Sequence, residues 1–340
     1  MKKSIFFLIL NSAFLILNSF CSAQNRSNDS LLALLKISKE DTNKVNILNR
    51  LSVDLLNVSN YEKALREVNE AIKLSEKISF FRGNADSYSN LGNIYYYQGN
   101  YTNALEYFLK ALNIYEKIGN KRRFSTILGN IGLVYSDQTD YSKALEYYEK
   151  ALKVFEEMGN KDGIALNLGN IGNIYNHKGD YTKALEYYFK CLKLNEEQKD
   201  YREKSININN IGIVYCLQGK YGEALKYFLD ALKIRKELGD KRGVELNLGN
   251  IGELYSIQKK YKEAEEYLQL ALKSAEEIKD LEGVSALQYS LSELYEKQNL
   301  WQLSLNYYKK HLVSKDSLFN SNKSRQIAEM QTKYESEKKR

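Results

Sequence analysis

Tyr61, Tyr101, Tyr141, Tyr181, Tyr221 and Tyr261 stand 40 residues apart without a slip, and Trp301 takes the seventh place. A fixed period of that length marks stacked supersecondary units, none of which can bury its apolar face alone, so each relies on its neighbours for a core. Such an array needs no internal boundary, and the 340 residues count as one folded body. The chain contains no proline, which fits a nearly all-helical protein because proline breaks helix interiors. Glycine does the punctuation instead. Function in such a chain is expected along a surface.

Residues 161–200 show the unit most plainly. Ile164, Leu168, Ile171 and Tyr175 recur at helical spacing and predict a first helix, with Gly172 inside its apolar face so that another helix can come close. His177-Lys178-Gly179-Asp180 then offers a C-capping glycine followed by an N-capping aspartate, a tight helix-to-helix turn. Tyr181, Ala184, Leu185, Tyr188, Cys191 and Leu192 form the stripe of a second helix. Gly119-Asn120, Gly159-Asn160 and Gly239-Asp240 end the second helices at the repeat junctions by the same chemistry. Each unit is a helix hairpin.

Three sets of residues recur: Gly92, Gly132, Gly172, Gly212 and Gly252; Tyr95, Tyr135, Tyr175, Tyr215, Tyr255 and Tyr295; and Ala64, Ala104, Ala144, Ala184, Ala224 and Ala264. Ala71, Ala111, Ala151, Ala231 and Ala271 add a second small-residue register, with Cys191 replacing one alanine. In these residues the chain resembles the tetratricopeptide repeat (TPR) family. The family's usual period is about 34 residues, with a proline at the junction. The longer period and missing proline resemble the long-helix subclass of the LGN/Pins scaffolds and kinesin light chains, as do Leu128-Gly129-Asn130, Leu168-Gly169-Asn170 and Leu248-Gly249-Asn250. The resemblance implies an all-α, right-handed α-solenoid of about seven helix-turn-helix repeats over residues 41–320. Arg50 and Ser52 in the first unit, and Ser290, Ser292, Ser304 and His311 in the last, depart from the repeat as terminal caps do.

A helical wheel places Asn170, Asn173 and His177 on one stripe, at i, i+3 and i+7, away from the face that packs on the second helix. The resemblance implies that this free side lines a concave groove. Asparagine recurs at the first position of the stripe as Asn90, Asn130, Asn170, Asn210 and Asn250, although it is a poor helix former. An amide offers donor and acceptor, so a ladder of amides can match the backbone of an extended peptide, a use known in the similar long-helix repeats. The other reading is that each asparagine bridges adjacent first helices. Further stripe positions hold Asn93, Tyr97, Leu133, Asp137, Ile213, Leu217 and Ile257, with Glu253, Glu293 and Lys297 toward the C-terminal end. An apolar middle on this face suggests a partner surface, unless Ile213 and Leu217 pack on the next repeat. The expected ligand is an apolar or amphipathic peptide or protein segment.

Several function classes fall away. Positive and negative residues alternate along the repeats, so the formal charge of +7 forms no basic stripe for nucleic acid. His177 and His311 are the only histidines, no catalytic or phosphate-loop motif occurs, and pairs such as Glu146 and Lys150 are a solvated helix face. Tyr147 and Tyr148 suit core and rim. The expectation is a protein that is not an enzyme, with no cofactor and no metal site.

Residues 1–23 read as a signal peptide, with Lys2 and Lys3 ahead of an apolar stretch from Ile5 to Leu17 and cleavage expected after Ala23. Phe20 is too large to precede an acylated Cys21, which argues against a lipoprotein. Residues 24–40 form a lead-in, no later segment is apolar enough to span a bilayer, and the mature chain is expected to be exported to the periplasm. Cys191 and Cys216 read as small buried side chains, with a disulfide left open because sequence does not give their separation. Residues 321–340 leave the repeat. Ile327, Met330 and Tyr334 share a helical stripe that does not by itself establish a coiled coil. The stretch from Ile327 to Glu335 resembles the linker of exported bacterial repeat sensors, which leads to a membrane helix and a histidine kinase or regulator domain. Two functions follow: an exported binding scaffold, or the input segment of a signalling protein with a membrane-associated partner.

Overall fold

The computed structural model describes residues 31–317 except 32 and 36. Residues 1–23, read above as a signal peptide and including Cys21, the start of the expected lead-in, and the tail with Ile327, Met330 and Tyr334 lie outside the described residues. Those residues divide into two compact units, with the division between Lys178 and Gly179, where one continuous body was expected. The first unit holds α1 (Thr42–Asn57), α2 (Tyr61–Lys77), α3 (Phe81–Tyr97), α4 (Tyr101–Lys117), α5 (Lys121–Asp137), α6 (Tyr141–Glu157) and α7 (Lys161–His177). The second holds α8 (Tyr181–Gln198), α9 (Tyr201–Leu217), α10 (Tyr221–Glu237), α11 (Lys241–Ile257), α12 (Tyr261–Glu277) and α13 (Leu281–Lys297), then a helix over 301–317, α14. Odd-numbered helices are the first helices of the repeats and even-numbered ones the second. The described residues contain no strand.

The turn chemistry repeats every 20 residues. A left-handed residue follows each helix at 59, 79, 99 and so on to 299, as glycine at six of these places and as Ser59, Ser79, Thr139, Lys199, Lys259, Lys279 or Asn299 at the others. After α3, Gly99 N–H donates to Tyr96 O and Asn100 N–H to Tyr95 O, both at 2.9 Å, which is the Schellman pattern that satisfies the last carbonyls of a helix. The next residue caps the following helix: Asn100, Asn120, Asp140, Asn160, Asp180, Asp200, Asp240 and Asp280 each accept a hydrogen bond from the third backbone N–H of that helix. Phe80, Lys220 and Lys260 hold that place without a side-chain cap.

In four of the hairpins a first-helix glycine receives a large residue of the second helix, while Ser52 and Ser292 hold that place in the first and last. A Cβ on Gly92 would stand 2.6 Å from the Phe108 ring, one on Gly132 2.9 Å from Tyr148, one on Gly212 2.7 Å from Phe228, and one on Gly252 2.7 Å from Leu268. Phe108, Tyr148 and Phe228 are buried, and Ala104, Ala144 and Ala224 one turn earlier are fully enclosed, so the helix axes can come close. Burying one such ring contributes about 1.5–3 kcal/mol. The tyrosines of the 40-residue beat sit at the first position of each second helix and are half-buried at the turn. Trp301, in the seventh place, is 61% exposed. On the outer rim Tyr95 stacks on Tyr107 (5.5 Å), Tyr135 on Tyr147 (5.6 Å), Tyr215 on Tyr227 (5.4 Å) and Tyr295 on Tyr307 (5.5 Å), so Tyr147 is a rim residue and Tyr148 a core residue. Cys191 is buried and Cys216 half-buried, and no disulfide joins them.

Two charged groups lie inside the second unit. Arg235 is buried, with Nη1 donating to Gly243 O at 2.8 Å and Nε to Ser205 Oγ at 3.3 Å. Glu245 occupies a position that is valine in the first repeat (Val45) and alanine or serine in the rest (Ala85, Ser125, Ala165, Ser205, Ser285), is 2% exposed, and leaves Oε2 without a hydrogen bond. Burial, with the nearby Asp280 carboxylate, pushes its carboxyl up to about 8.

Two predictions follow from the turns and from the buried carboxyl. Thr139 is β-branched and sits at φ 61°, where a side chain strains the backbone, so Thr139→Gly should raise stability by about 1 kcal/mol, read as a higher urea midpoint. The ordinary carboxyl titrates at 4.5 and the folded one near 8, so the protonated form's stabilising contribution is complete below about pH 4.5 and is lost as pH rises through about 8. Glu245→Gln cannot ionise and should exceed the parent's stability by on the order of 3 kcal/mol near pH 8, with little difference near pH 4.5, when urea unfolding is compared at the two pH values.

Candidate functional site

In both units first helices touch the next first helix, as α1 does α3 and α11 does α13, while no successive pair of second helices makes comparable contact. The stripe built from Asn90, Asn130 and Asn170 therefore runs along neighbouring helices in the first unit. Asn90 Nδ2 donates to Asn49 O at 3.0 Å and lies 3.3 Å from Ser52 Oγ, and Asn130 Nδ2 donates to Asn93 Oδ1 at 3.4 Å. Both asparagines are half-buried, and their side-chain oxygens accept no hydrogen bond from any described residue. The donor end of each amide ties two helices together, and the acceptor end stays open. Asn170 and Asn173 are half-buried on the same stripe.

One turn further along, the first unit brings Tyr97, Asp137 and His177 to equivalent places on successive first helices. Tyr97 packs edge-on against Tyr96 at 5.2 Å, and Tyr96 Oη donates to Asp137 Oδ2 at 2.7 Å. Loss of solvent around the Asp137 carboxyl pushes its pKa above the ordinary carboxylate range, against the opposing pull of Tyr96 and His177. His177 stacks on Tyr141 at 5.8 Å with the rings 8° from parallel. Burial lowers the His177 pKa, with the Asp137 charge working the other way, so the neutral ring predominates at neutral pH. This rim is aromatic with one carboxylate, a surface suited to both apolar and hydrogen-bonding contacts.

The second unit treats the stripe differently. Asn209 Oδ1 accepts from Asn247 Nδ2 at 2.9 Å and from Asn250 Nδ2 at 2.8 Å, and Asn250 is only 3% exposed. The sequence reading of Asn250 as an open ladder residue is corrected here, because an acceptor on the preceding first helix draws its amide inward. Ile213 is 4% exposed in the core with Phe228 and Leu248, and half-buried Leu217 packs against the same cluster, so Ile213 offers no face to a ligand. Its side chain fills the space between adjacent first helices. Asn210 remains half-buried at the surface. Lys297 Nζ donates to Ser256 Oγ at 2.9 Å, and burial raises the Glu253 pKa, opposed by Ser290 and Lys297. Sequence reasoning missed the Asn209 hub because it stands one residue before the repeating asparagine, outside the stripe.

Among the described residues no group of three or more His, Cys, Asp or Glu side chains is placed to hold a metal, and no helix is long and apolar enough to cross a membrane. The site is a line of amides and aromatic rims on a helical-repeat frame, a surface built for contact. Tetratricopeptide repeat models match residues 83–157, 163–237 and 244–312, and a second such model matches 130–190, so the chain belongs to the tetratricopeptide repeat family. No curated protein matches it in sequence. Solved structures share the fold at low identity. The apo form of the quorum sensor NprR from B. thuringiensis superposes with a TM-score of 0.70 at 18% identity, covering 91% of this chain and 87% of that one. The Rap conjugation gene regulator of plasmid pLS20, in complex with the Phr* peptide, gives 0.56 at 14% identity, covering 88% and 96%. A signal transduction ATPase with a tetratricopeptide repeat sensor from Pyrococcus horikoshii gives 0.67 at 20% identity, covering 86% of this chain and 45% of that one.

Removing the Asn209 acceptor leaves the buried Asn250 amide donor unpaired and Asn247 Nδ2 with only its 3.5 Å bond to Phe228 O. Asn209→Ala should therefore lower unfolding stability by about 2–4 kcal/mol, measured by urea titration, whereas a change of similar size at the exposed Asn113 should cost less than about 0.5 kcal/mol.

Proposed function

We propose that the chain is an exported interaction module that holds a peptide or an extended protein segment along the first-helix stripe of its first unit, with Asn90, Asn93, Asn130, Asn170 and Asn173 meeting the ligand backbone. Tyr97 and His177 supply apolar contact beside it, and Asn210 belongs to the corresponding line in the second unit. The observation that carries this reading is the orientation of Asn90 and Asn130. Their Nδ2 donors are held by the neighbouring helix, so the side-chain oxygens are fixed in place and free to accept N–H groups from an added strand. A peptide complex of a similarly folded Rap regulator supports it. No chemical step is assigned to the protein.

A second reading has its own support. The likeness to the sensor-bearing ATPase favours an input segment that passes ligand binding to an output partner, and the leader read at residues 1–23 would place that segment outside the cytoplasm. In both readings the stripe binds first.

The test is capture of short random-sequence peptides by the chain from residue 24 onward, followed by affinity measurement on the best binders. Asn130→Ala combined with Asn170→Ala should weaken binding about tenfold or more while circular dichroism and the melting temperature show a folded chain. Unchanged affinity in the folded variant would remove the asparagines from the binding surface.

A further inference from the structure

All first helices end in the same register, and Asp137 is the one carboxylate among their end residues. Tyr96, next to the end of α3, is likewise the one tyrosine at its place, which holds Leu56, Ser136, Asn176, Cys216, Ser256 or Glu296 elsewhere. These two departures from the repeat meet, because Tyr96 Oη donates to Asp137 Oδ2. A neutral amide would accept the same bond without holding a charge where protein crowds it. The tie between α3 and α5 therefore does not explain a carboxylate.

The charge of Asp137 has no counterpart. Its Oδ1 accepts no hydrogen bond from any described residue, and no lysine or arginine among them pairs with it. Its side chain keeps an edge in solvent, and the groups its charge reaches are the phenols of Tyr101 on α4 and Tyr148 on α6 and the imidazole of His177 on α7. An unengaged carboxylate oxygen with aromatic rings beside it matches an ammonium or guanidinium group. His177 competes for the same place. Two elements face its ring: α5 with Asp137, the charge that acts on it, and α6 with Tyr141, on which it stacks. Burial keeps the ring neutral at neutral pH, and a proton taken up below about pH 6.5 makes it an imidazolium that balances Asp137.

We infer that Asp137 receives a cationic group of the bound peptide, and that His177 displaces this group when it becomes charged. The inference rests on the peptide-binding reading above. Asn130 lies two turns back on α5, about 10 Å along the helix, so a single peptide reaches both residues. The cation is a Lys or Arg side chain of the peptide or its amino terminus.

Three pools of random short peptides without histidine are passed over the full chain at about pH 7.5. One is acetylated and carries Lys and Arg, one has free amino termini but no Lys or Arg, and one is acetylated and has neither. A side-chain source predicts about tenfold or greater retention of the first pool over the third, and an amino-terminal source predicts the same of the second. In either case Asp137→Asn, which keeps an acceptor for Tyr96, should erase the preference in a chain that circular dichroism shows to be folded. At about pH 5.5 the preference should fall by about threefold or more in the parent. His177→Phe keeps a ring against Tyr141 that cannot ionise, so whatever its own affinity it should show no such fall. Retention that ignores cationic groups, or a preference that survives Asp137→Asn, overturns the inference and leaves the peptide reading standing. A preference that does not fall with pH, or that falls equally in His177→Phe, overturns His177 as the competing charge. If no pool is retained, the peptide reading fails. Asp137 is then judged alone by titrating N-acetyl-lysine amide against its Nε-acetylated form and following the ring resonances of His177. A shift caused by the cation and lost in Asp137→Asn supports the site, and equal responses overturn it.

Discussion

Every other feature of this chain depends on the three-residue turn between helices. One residue in the left-handed conformation closes the finished helix through two backbone hydrogen bonds, and the next residue's side chain opens the new helix. Because this turn recurs every 20 residues with little change, every helix has nearly the same length and each hairpin repeats at 40. The glycine-to-ring contacts and the amide stripe inherit that register. A slip of one residue would turn the apolar stripe by about 100° and carry Gly132 away from Tyr148.

The same regularity exposes the places where the chain departs from itself. Glu245 replaces a small residue inside the second unit at a cost that grows with pH, and Arg50 replaces an asparagine at the start of the series. The two substitutions differ in what surrounds them. Glu245 is enclosed with an oxygen unpartnered, whereas Arg50 opens onto a cleft that two other repeats also line with arginine. An enclosed charge is a burden on stability, and a solvated one costs little.

Much of the fold was legible in the residues themselves. The tyrosine period, the Gly-Asp and Gly-Asn pairs at the turns and the recurring glycine and alanine gave the helices and their order, because each is a local signal with a local cause. Turns at Thr139, Lys199 and Lys259 carry no glycine, yet adopt the same left-handed backbone. There the packing of the helices on either side decides against local preference. The asparagine series was legible as a series but not as two environments. Asn90 and Asn130 keep an open oxygen, while Asn250 turns inward to Asn209, a partner on another helix that no spacing rule reveals.

Sequence alone thus determined what depends on neighbours a few positions away: helix, turn, repeat length, and the face of each helix that carries amides. Tertiary structure decided what depends on distance across the chain. It enclosed Ile213 and Asn250, set His177 against Tyr141 and beside Asp137, and brought Arg50, Arg82 and Arg123, separated by 32 and 41 residues, to one cleft. Solvent exposure and the meeting of like charges are properties of packed helices, and a repeating pattern specifies them only where each repeat has the same neighbours.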